Sequence, residues 1–144
     1  MDHFYEAVRL NPGLSMAHFT LASALENLGR TEEATLQYAE GLRLDPNHAV
    51  AHNNLGVIFA RQGKVEEAVG HFEKALRFDP DYAEALSNLG AILLKQAHVE
   101  EAITHFEQAL RLKPDFPGAR SNLLTAREVL KRRKQSSVAP VDAQ

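Results

Sequence analysis

The fold is decided by residues 54–80, NLGVIFARQGKVEEAVGHFEKALRFDP. Large apolar residues recur there at helical spacing, in two runs that Gly63 separates. The stretch ends at Asp79-Pro80, and proline cannot continue a helix and restrains the residue before it. This stretch therefore predicts a helix, a turn and a second helix.

The same unit recurs along the chain every 34 residues, and prolines mark the period at Pro12, Pro46, Pro80 and Pro114. One column of the repeat is always leucine, and the next is small where two helices must cross closely. The leucine column holds Leu21, Leu55, Leu89 and Leu123, and the small column holds Ala22, Gly56 and Gly90. A single helix pair cannot bury its apolar face alone, so the period predicts a stack of pairs.

This pattern resembles the tetratricopeptide repeat family. The residues that carry the resemblance are Asn54-Leu55-Gly56, Glu66-Glu67-Ala68, Phe72, Ala75-Leu76 and Asp79-Pro80. The resemblance implies an all-α fold, a right-handed α-solenoid in which helix–turn–helix repeats stack into a superhelix.

The repeat register divides the chain into an array at residues 1–134 and a disordered tail at residues 135–144. The array holds a half repeat at 2–14, full repeats at 15–48, 49–82 and 83–116, and a capping helix at 117–134. We expect helices at 2–10, 15–28, 32–44, 49–62, 66–78, 83–96, 100–112 and 117–133. Leu124 replaces the small residue of its column, which indicates that no second helix presses on the last one.

Composition excludes several classes of protein. The 144 residues contain no cysteine, so there is no disulfide, thiolate metal site or cysteine nucleophile. No apolar run is long enough to span a membrane, and the cytoplasm is the default compartment. Residues 1–119 carry a net charge of −7 and residues 120–144 one of +4, so the body gives no electrostatic reason to bind nucleic acid.

No residue pattern indicates catalysis, a metal or a cofactor. His48 and His52 have no converging third ligand. We expect His71 and His105 to lie on the surface, each paired with a glutamate four residues before it. The glutamate pairs that open each second helix lie where the helix dipole favours negative charge; they are Glu32-Glu33, Glu66-Glu67 and Glu100-Glu101. We therefore expect a protein that is not an enzyme and has no small-molecule substrate.

The basic run Lys131-Arg132-Arg133-Lys134 has two interpretations. It could be a nuclear-localisation or anionic-surface patch. The favoured interpretation is that these cations stabilise the C-terminus of the last helix through its dipole.

The first helices of the repeats are expected to line a peptide-binding groove. Asn54, Asn88 and Asn122 recur there at the repeat spacing, and an amide both donates and accepts hydrogen bonds. This column is similar to the asparagine ladder in the repeat domain of O-linked N-acetylglucosamine transferases, although asparagine is also common at this position across the family. The positions of the chaperone-binding carboxylate clamp do not match its residues. The expected groove residues are Phe19, Thr20, Ser23, Asn53, Asn54, Val57, Ser87, Asn88, Ala91, Lys95 and Asn122.

Three functions follow as hypotheses. The first is a scaffold that binds an unknown protein or peptide in this groove. The second is a recognition module from a larger enzyme, such as a glycosyltransferase, or from a bacterial membrane protein, since the sequence opens in mid-repeat. The third is a self-assembling scaffold, with Phe4, Tyr5 and Val8 as the self-association edge of the N-terminal half repeat.

One turn departs from the pattern. Gly29 and Gly63 end the first helices of two repeats, and Ala97 takes the same place in the third. We expect a left-handed conformation at all three, which glycine adopts freely and alanine does not.

Overall fold

Helices fill nearly all of residues 1–138, which is the part of the chain that the computed structural model describes. Eight α-helices and no strand occur in that range. They are α1 (Asp2–Leu10), α2 (Ser15–Asn27), α3 (Thr31–Leu44), α4 (Ala49–Arg61), α5 (Val65–Phe78), α6 (Ala83–Lys95), α7 (Val99–Leu112) and α8 (Pro117–Ser137).

The helix bounds agree with those expected from the repeat to within one residue, except at the end of α8. That helix runs on to Ser137, whose hydroxyl donates to the Lys134 carbonyl at 2.9 Å. The expected disorder was therefore wrong for residues 135–137, since Gln135 and two serines do not break a helix. Residues 139–144 of the expected tail lie outside the described range.

The turns after α2, α4 and α6 share one geometry. Gly29 has a φ of 73°, Gly63 of 75° and Ala97 of 68°, so the expected left-handed turn at Ala97 is confirmed. In the third turn the amide of His98 bonds to the Leu93 carbonyl at 2.9 Å. Each turn therefore closes the preceding helix with a Schellman motif, which requires a left-handed residue just past the helix.

The described helices cluster into two units, one within residues 1–80 and one that begins at residue 81. In the first unit α2 packs on α3 and α4 on α5, with α1 against α2 and α3 against α4. In the second, α6 packs on α7, and α8 packs on both. The short connections within each pair make its two helices antiparallel neighbours.

The repeat columns form the core of each unit. All four residues of the leucine column are buried, from Leu21 in the first repeat to Leu123 in α8. The small column provides room for aromatic rings: a Cβ at Gly56 would lie 2.6 Å from the Phe72 ring, and one at Gly90 would lie 2.9 Å from the Phe106 ring. Leu124, in the same column, is 62% exposed, so among the described residues nothing covers that face of α8.

Candidate peptide-binding surface

In the first unit, four of the expected groove residues reach the surface. Thr20 and Ser23 are exposed on α2, and Asn54 and Val57 are half-buried on α4. The Thr20 hydroxyl donates to the Met16 carbonyl at 2.8 Å, which leaves its oxygen able to accept. These side chains are short, so an extended strand could approach the helix backbones closely at this surface.

Phe19 does not lie on that surface. Its ring fills the space left by the missing side chain of Gly41 and is tilted against the His48 ring, with 4.2 Å between the ring centroids. The side chain is only 6% exposed. Phe19 is therefore a core residue that holds α2 against α3, and the expectation that it lines the groove was wrong.

Asn53 and Ser87 are also buried, at 5% and 6% exposure. Each precedes a groove asparagine by one residue, and one residue turns a side chain by about 100° around a helix. This rotation directs the side chains of Asn53 and Ser87 away from the surface and into the packing between helices. The Asn53 amide donates towards Asn54 Oδ1 at 3.5 Å.

In the second unit, four expected groove residues retain exposure. Asn88 and Ala91 are half-buried on α6, Lys95 is exposed at its end, and Asn122 is half-buried on α8. The unit thus presents amide, methyl and ammonium groups on its first helices.

The amide of Asn54 has a partner in its own chain. Its nitrogen donates to the Tyr38 hydroxyl at 2.9 Å, and that hydroxyl donates to Glu26 Oε2 at 3.3 Å. Glu26 Oε1 lies 3.7 Å from a guanidinium nitrogen of Arg61. At the position of Asn54 a packing role therefore accompanies any binding role.

Tyr38 is a site residue that the sequence analysis missed. Burial raises its pKa to about 12, so the hydroxyl remains protonated and able to donate even in alkaline solution. The signal was present in the sequence: the same column holds Phe72 and Phe106 in the later repeats, and a hydroxyl is not needed for their packing.

His71 does not pair with a glutamate as expected. Its Nδ1 lies 3.0 Å from Nδ1 of the buried His52, whose Nε2 donates to the Pro46 carbonyl at 2.9 Å. His52 Nδ1 is therefore the acceptor and His71 Nδ1 the donor. Burial is the main cause that lowers the pKa of both rings, and together with the charges of His52 and Lys74 it lowers the pKa of His71 to about 4. Both imidazoles are thus neutral at physiological pH.

The residues at the positions of His52 and His71 differ in the other repeats. In the first repeat the Gln37 amide lies 2.8 Å from His18 Nδ1. In the third, Leu86 stands in the histidine column, and the buried Nδ1 of His105 has no hydrogen-bond partner. No group of three or more potential metal ligands occurs in residues 1–138.

Two residues of the basic run of α8 make contacts within the chain. Arg132 pairs with Glu128, one turn earlier, and Arg133 donates to the Ala97 carbonyl at 3.0 Å. Because α8 continues to Ser137, only Lys134 of the run lies in the last turn of the helix. Arg133 therefore ties α8 to the turn after α6.

The expected self-association edge lies on α1, which buries no residue. Phe4 is 37% exposed and Tyr5 38%, while Val8 packs against the core of the first unit. The Tyr5 hydroxyl donates to Glu33 at 3.4 Å, and the Arg30 guanidinium lies over its ring. Phe4 is therefore the large apolar side chain of this edge that makes none of these polar contacts.

Two profiles of one family match the sequence. The tetratricopeptide repeat profile matches residues 48–115, and a second TPR repeat profile matches residues 23–63. Together they span residues 23–115, well over half of the chain. Over that span the chain is similar to the tetratricopeptide-repeat family. A comparison with curated protein sequences gave no match.

Solved structures confirm the all-α tetratricopeptide fold. The first TPR domain of Spaghetti (RPAP3), bound to an HSP90 peptide, is 24% identical and matches with a TM-score of 0.76 over 81% of this chain and 93% of its own. Pseudomonas aeruginosa pilF is 25% identical, with a TM-score of 0.78 over 91% of this chain and 59% of its own. YrrB, described as a TPR protein with an unusual peptide-binding site, is 25% identical, with a TM-score of 0.78 over 85% of this chain and 63% of its own.

The repeat protein has no membrane-spanning candidate among its described helices, because none is both long and apolar enough to cross a bilayer.

Proposed function

We propose that the chain is a non-catalytic scaffold that binds an extended segment of a partner protein on the first helices of its repeats. The observation that carries the proposal is that each unit has short, hydrogen-bonding side chains at the surface of its first helices. In the first unit they are Thr20, Ser23 and Asn54, and in the second Asn88 and Asn122. Two structural neighbours, the RPAP3 domain and YrrB, are described as peptide-binding, which supports the same role here.

The test replaces all three asparagines with alanine and measures binding and stability separately. A partner is first isolated by affinity capture with the intact chain. If Asn54, Asn88 and Asn122 bind its backbone, each contributes about 0.5–1.5 kcal/mol, so the triple variant loses about tenfold to a thousandfold in affinity per folded molecule. Asn54→Ala also removes a hydrogen bond to Tyr38, so a modest fall in melting temperature accompanies this loss.

A packing role alone predicts that the substitutions lower stability but not binding. The melting temperature would fall, while affinity per folded molecule would stay within twofold or so of the wild-type value. That outcome would contradict binding through these amides. Thr35→Ala is a control, because the Thr35 hydroxyl bonds to the Thr31 carbonyl within α3, a second helix of its repeat.

The two alternatives stay open as proposals of a different class. A recognition module of a larger enzyme or membrane protein would bind in the same way but deliver its ligand to another domain. A self-assembling scaffold would associate through its own surfaces, for which the exposed Phe4 is the specific observation.

A further inference from the structure

A cavity of about 360 Å³ opens in the first unit where α2 and α4 end and α3 begins. Glu26 and Arg61 both line it, with their charged groups 3.7 Å apart, and Thr31, Glu32 and Ile58 form much of the rest of its wall. The Tyr38 hydroxyl bonds both Glu26 and the groove residue Asn54. The cavity therefore adjoins the surface that we propose for peptide binding.

The repeats give an internal comparison for this cavity. Glu26 is replaced by Ala60 and Leu94 at the same position of the next two repeats. Tyr38 is likewise replaced by phenylalanine in both. The carboxylate and the hydroxyl thus occur in the same repeat and bond to each other, whereas the fold is built elsewhere in this chain without either.

Glu26 is held in place but is not fully paired. Its side chain is 22% exposed, and Tyr38 bonds one carboxylate oxygen. The other oxygen faces Arg61, which is 73% exposed and lies at the long distance of 3.7 Å. An exposed ion pair of this kind contributes little to stability, so a ligand cation can take the place of the arginine.

The charges around the cavity favour a cation. Glu26 and Glu32 outnumber the single cation Arg61 in its wall. The first unit as a whole, residues 1–80, has 11 acidic and 7 basic residues. An acidic peptide would meet net repulsion at this end of the surface, whereas a basic side chain would not.

We infer that this cavity receives a lysine or arginine side chain of the bound peptide, with the Glu26 carboxylate as its acceptor and Tyr38 as the positioning residue. The inference rests on the proposed function, because it assigns one specificity pocket to that surface. Glu26 in the cavity wall and Asn54 both bond to the Tyr38 hydroxyl, so a peptide backbone beside Asn54 would bring one of its side chains within reach of the cavity.

The experiment selects binders for the full chain from a random library of ten-residue peptides. Selected peptides are expected to share Lys or Arg at one position, and the same selection with Glu26→Gln is expected to lose that preference. Glutamine keeps the size of the side chain and removes its charge. Glu66→Gln is the control, because Glu66 takes the place of Glu32 in the next repeat and lies outside the cavity.

A selected peptide is then measured by fluorescence anisotropy. A charge-assisted hydrogen bond corresponds to about a tenfold or greater change in affinity, so Glu26→Gln should weaken binding by that factor and Glu66→Gln by none. Tyr38→Phe introduces the residue found in the other repeats. It should lower the affinity for the basic peptide but not the affinity for the same peptide with its Lys or Arg replaced by Gln. A merely structural role for Tyr38 would weaken both peptides equally.

Three outcomes overturn the inference. Binders without a shared basic position, or with a shared acidic one, contradict it and leave the proposed function standing. An unchanged affinity of the basic peptide for Glu26→Gln does the same. A folded chain that selects no peptide at all contradicts the proposed function as well.

Discussion

At the scale of a single residue, Ala97 shows how a repeat tolerates a local cost. Its φ of 68° is within a few degrees of those of Gly29 and Gly63, so the backbone does not relax to suit the methyl group. An alanine in this region is less stable than glycine by about 1–2 kcal/mol. Glycine loses more backbone freedom on folding, which offsets part of this difference. Ala97→Gly should therefore stabilise the second unit by about 1 kcal/mol.

Thermal or denaturant unfolding of the Ala97→Gly variant measures this effect. Gly63→Ala is the reciprocal control and should destabilise the chain by a similar amount, since a Cβ at Gly63 meets no atom within 4 Å and only the backbone conformation opposes it. A lower melting temperature for Ala97→Gly would mean that the positive φ is not the source of the cost.

The imidazole pair of His52 and His71 predicts a dependence of stability on pH. The pKa of His71 is about 4 in the folded chain against an ordinary value of 6.5, so the unfolded chain binds more protons between these values. The stabilisation is complete above pH 6.5 and is lost as the pH falls towards 4. Because the His71 side chain is partly exposed, the loss between pH 7.5 and pH 5 should be about 1 kcal/mol.

The first repeat supplies the variant that tests this. His71→Gln reproduces the His18–Gln37 arrangement, in which an amide faces the buried imidazole, and it removes one titrating ring. Its unfolding free energy should fall less between pH 7.5 and pH 5 than that of the wild type. His3→Gln, in the same column on the exposed face of α1, should leave the wild-type slope unchanged, and an equal slope for both variants would contradict the prediction.

At the scale of the element, α1 is the helix with the least support, since none of its residues is buried. Phe4 therefore exposes apolar surface that a second copy of the chain can cover. We expect association at high protein concentration that Phe4→Glu abolishes, measured by sedimentation velocity. Leu36→Glu, at an exposed leucine of α3, is the matched control and should not change this association. A chain that stays monomeric at all concentrations would contradict self-association through α1.

The helix bounds could be predicted closely because the same boundary residues recur in each repeat. Three turn positions hold Gly29, Gly63 and Ala97, and the period places every second helix at the same distance from its proline. Only the end of α8 was misplaced, because the last helix has no following repeat to define it.

The site was harder to predict than the helices, for a geometric reason. Neighbouring residues on a helix differ by about 100° in direction, so Asn53 is buried where Asn54 reaches the surface. The column pattern also cannot show which partner a polar side chain finds on the adjacent helix. The contact between His52 and His71 spans 19 residues, as does that between His18 and Gln37, and this shared spacing was the available signal.

At the scale of the whole molecule, the two units should differ in their response to acid. Stability in a repeat array is approximately a sum of local terms, and regions of one chain open with different free energies. The first unit contains the imidazole pair, whereas the second has Leu86 and His105 at the same two positions. Acid should therefore weaken α4 and α5 more than α6 and α7.

Amide hydrogen exchange measures this difference directly, with protection factors corrected for the intrinsic effect of pH. Between pH 7.5 and pH 5, protection in α4 and α5 should fall several-fold, since about 1 kcal/mol corresponds to roughly fivefold in an opening equilibrium. Protection in α6 and α7 should fall less. In His71→Gln the difference between the two units should become smaller, because one of the two rings that resist protonation is gone. An equal loss of protection in both units of the wild type would show that the imidazole pair does not govern the acid response, and that the chain opens as one cooperative body.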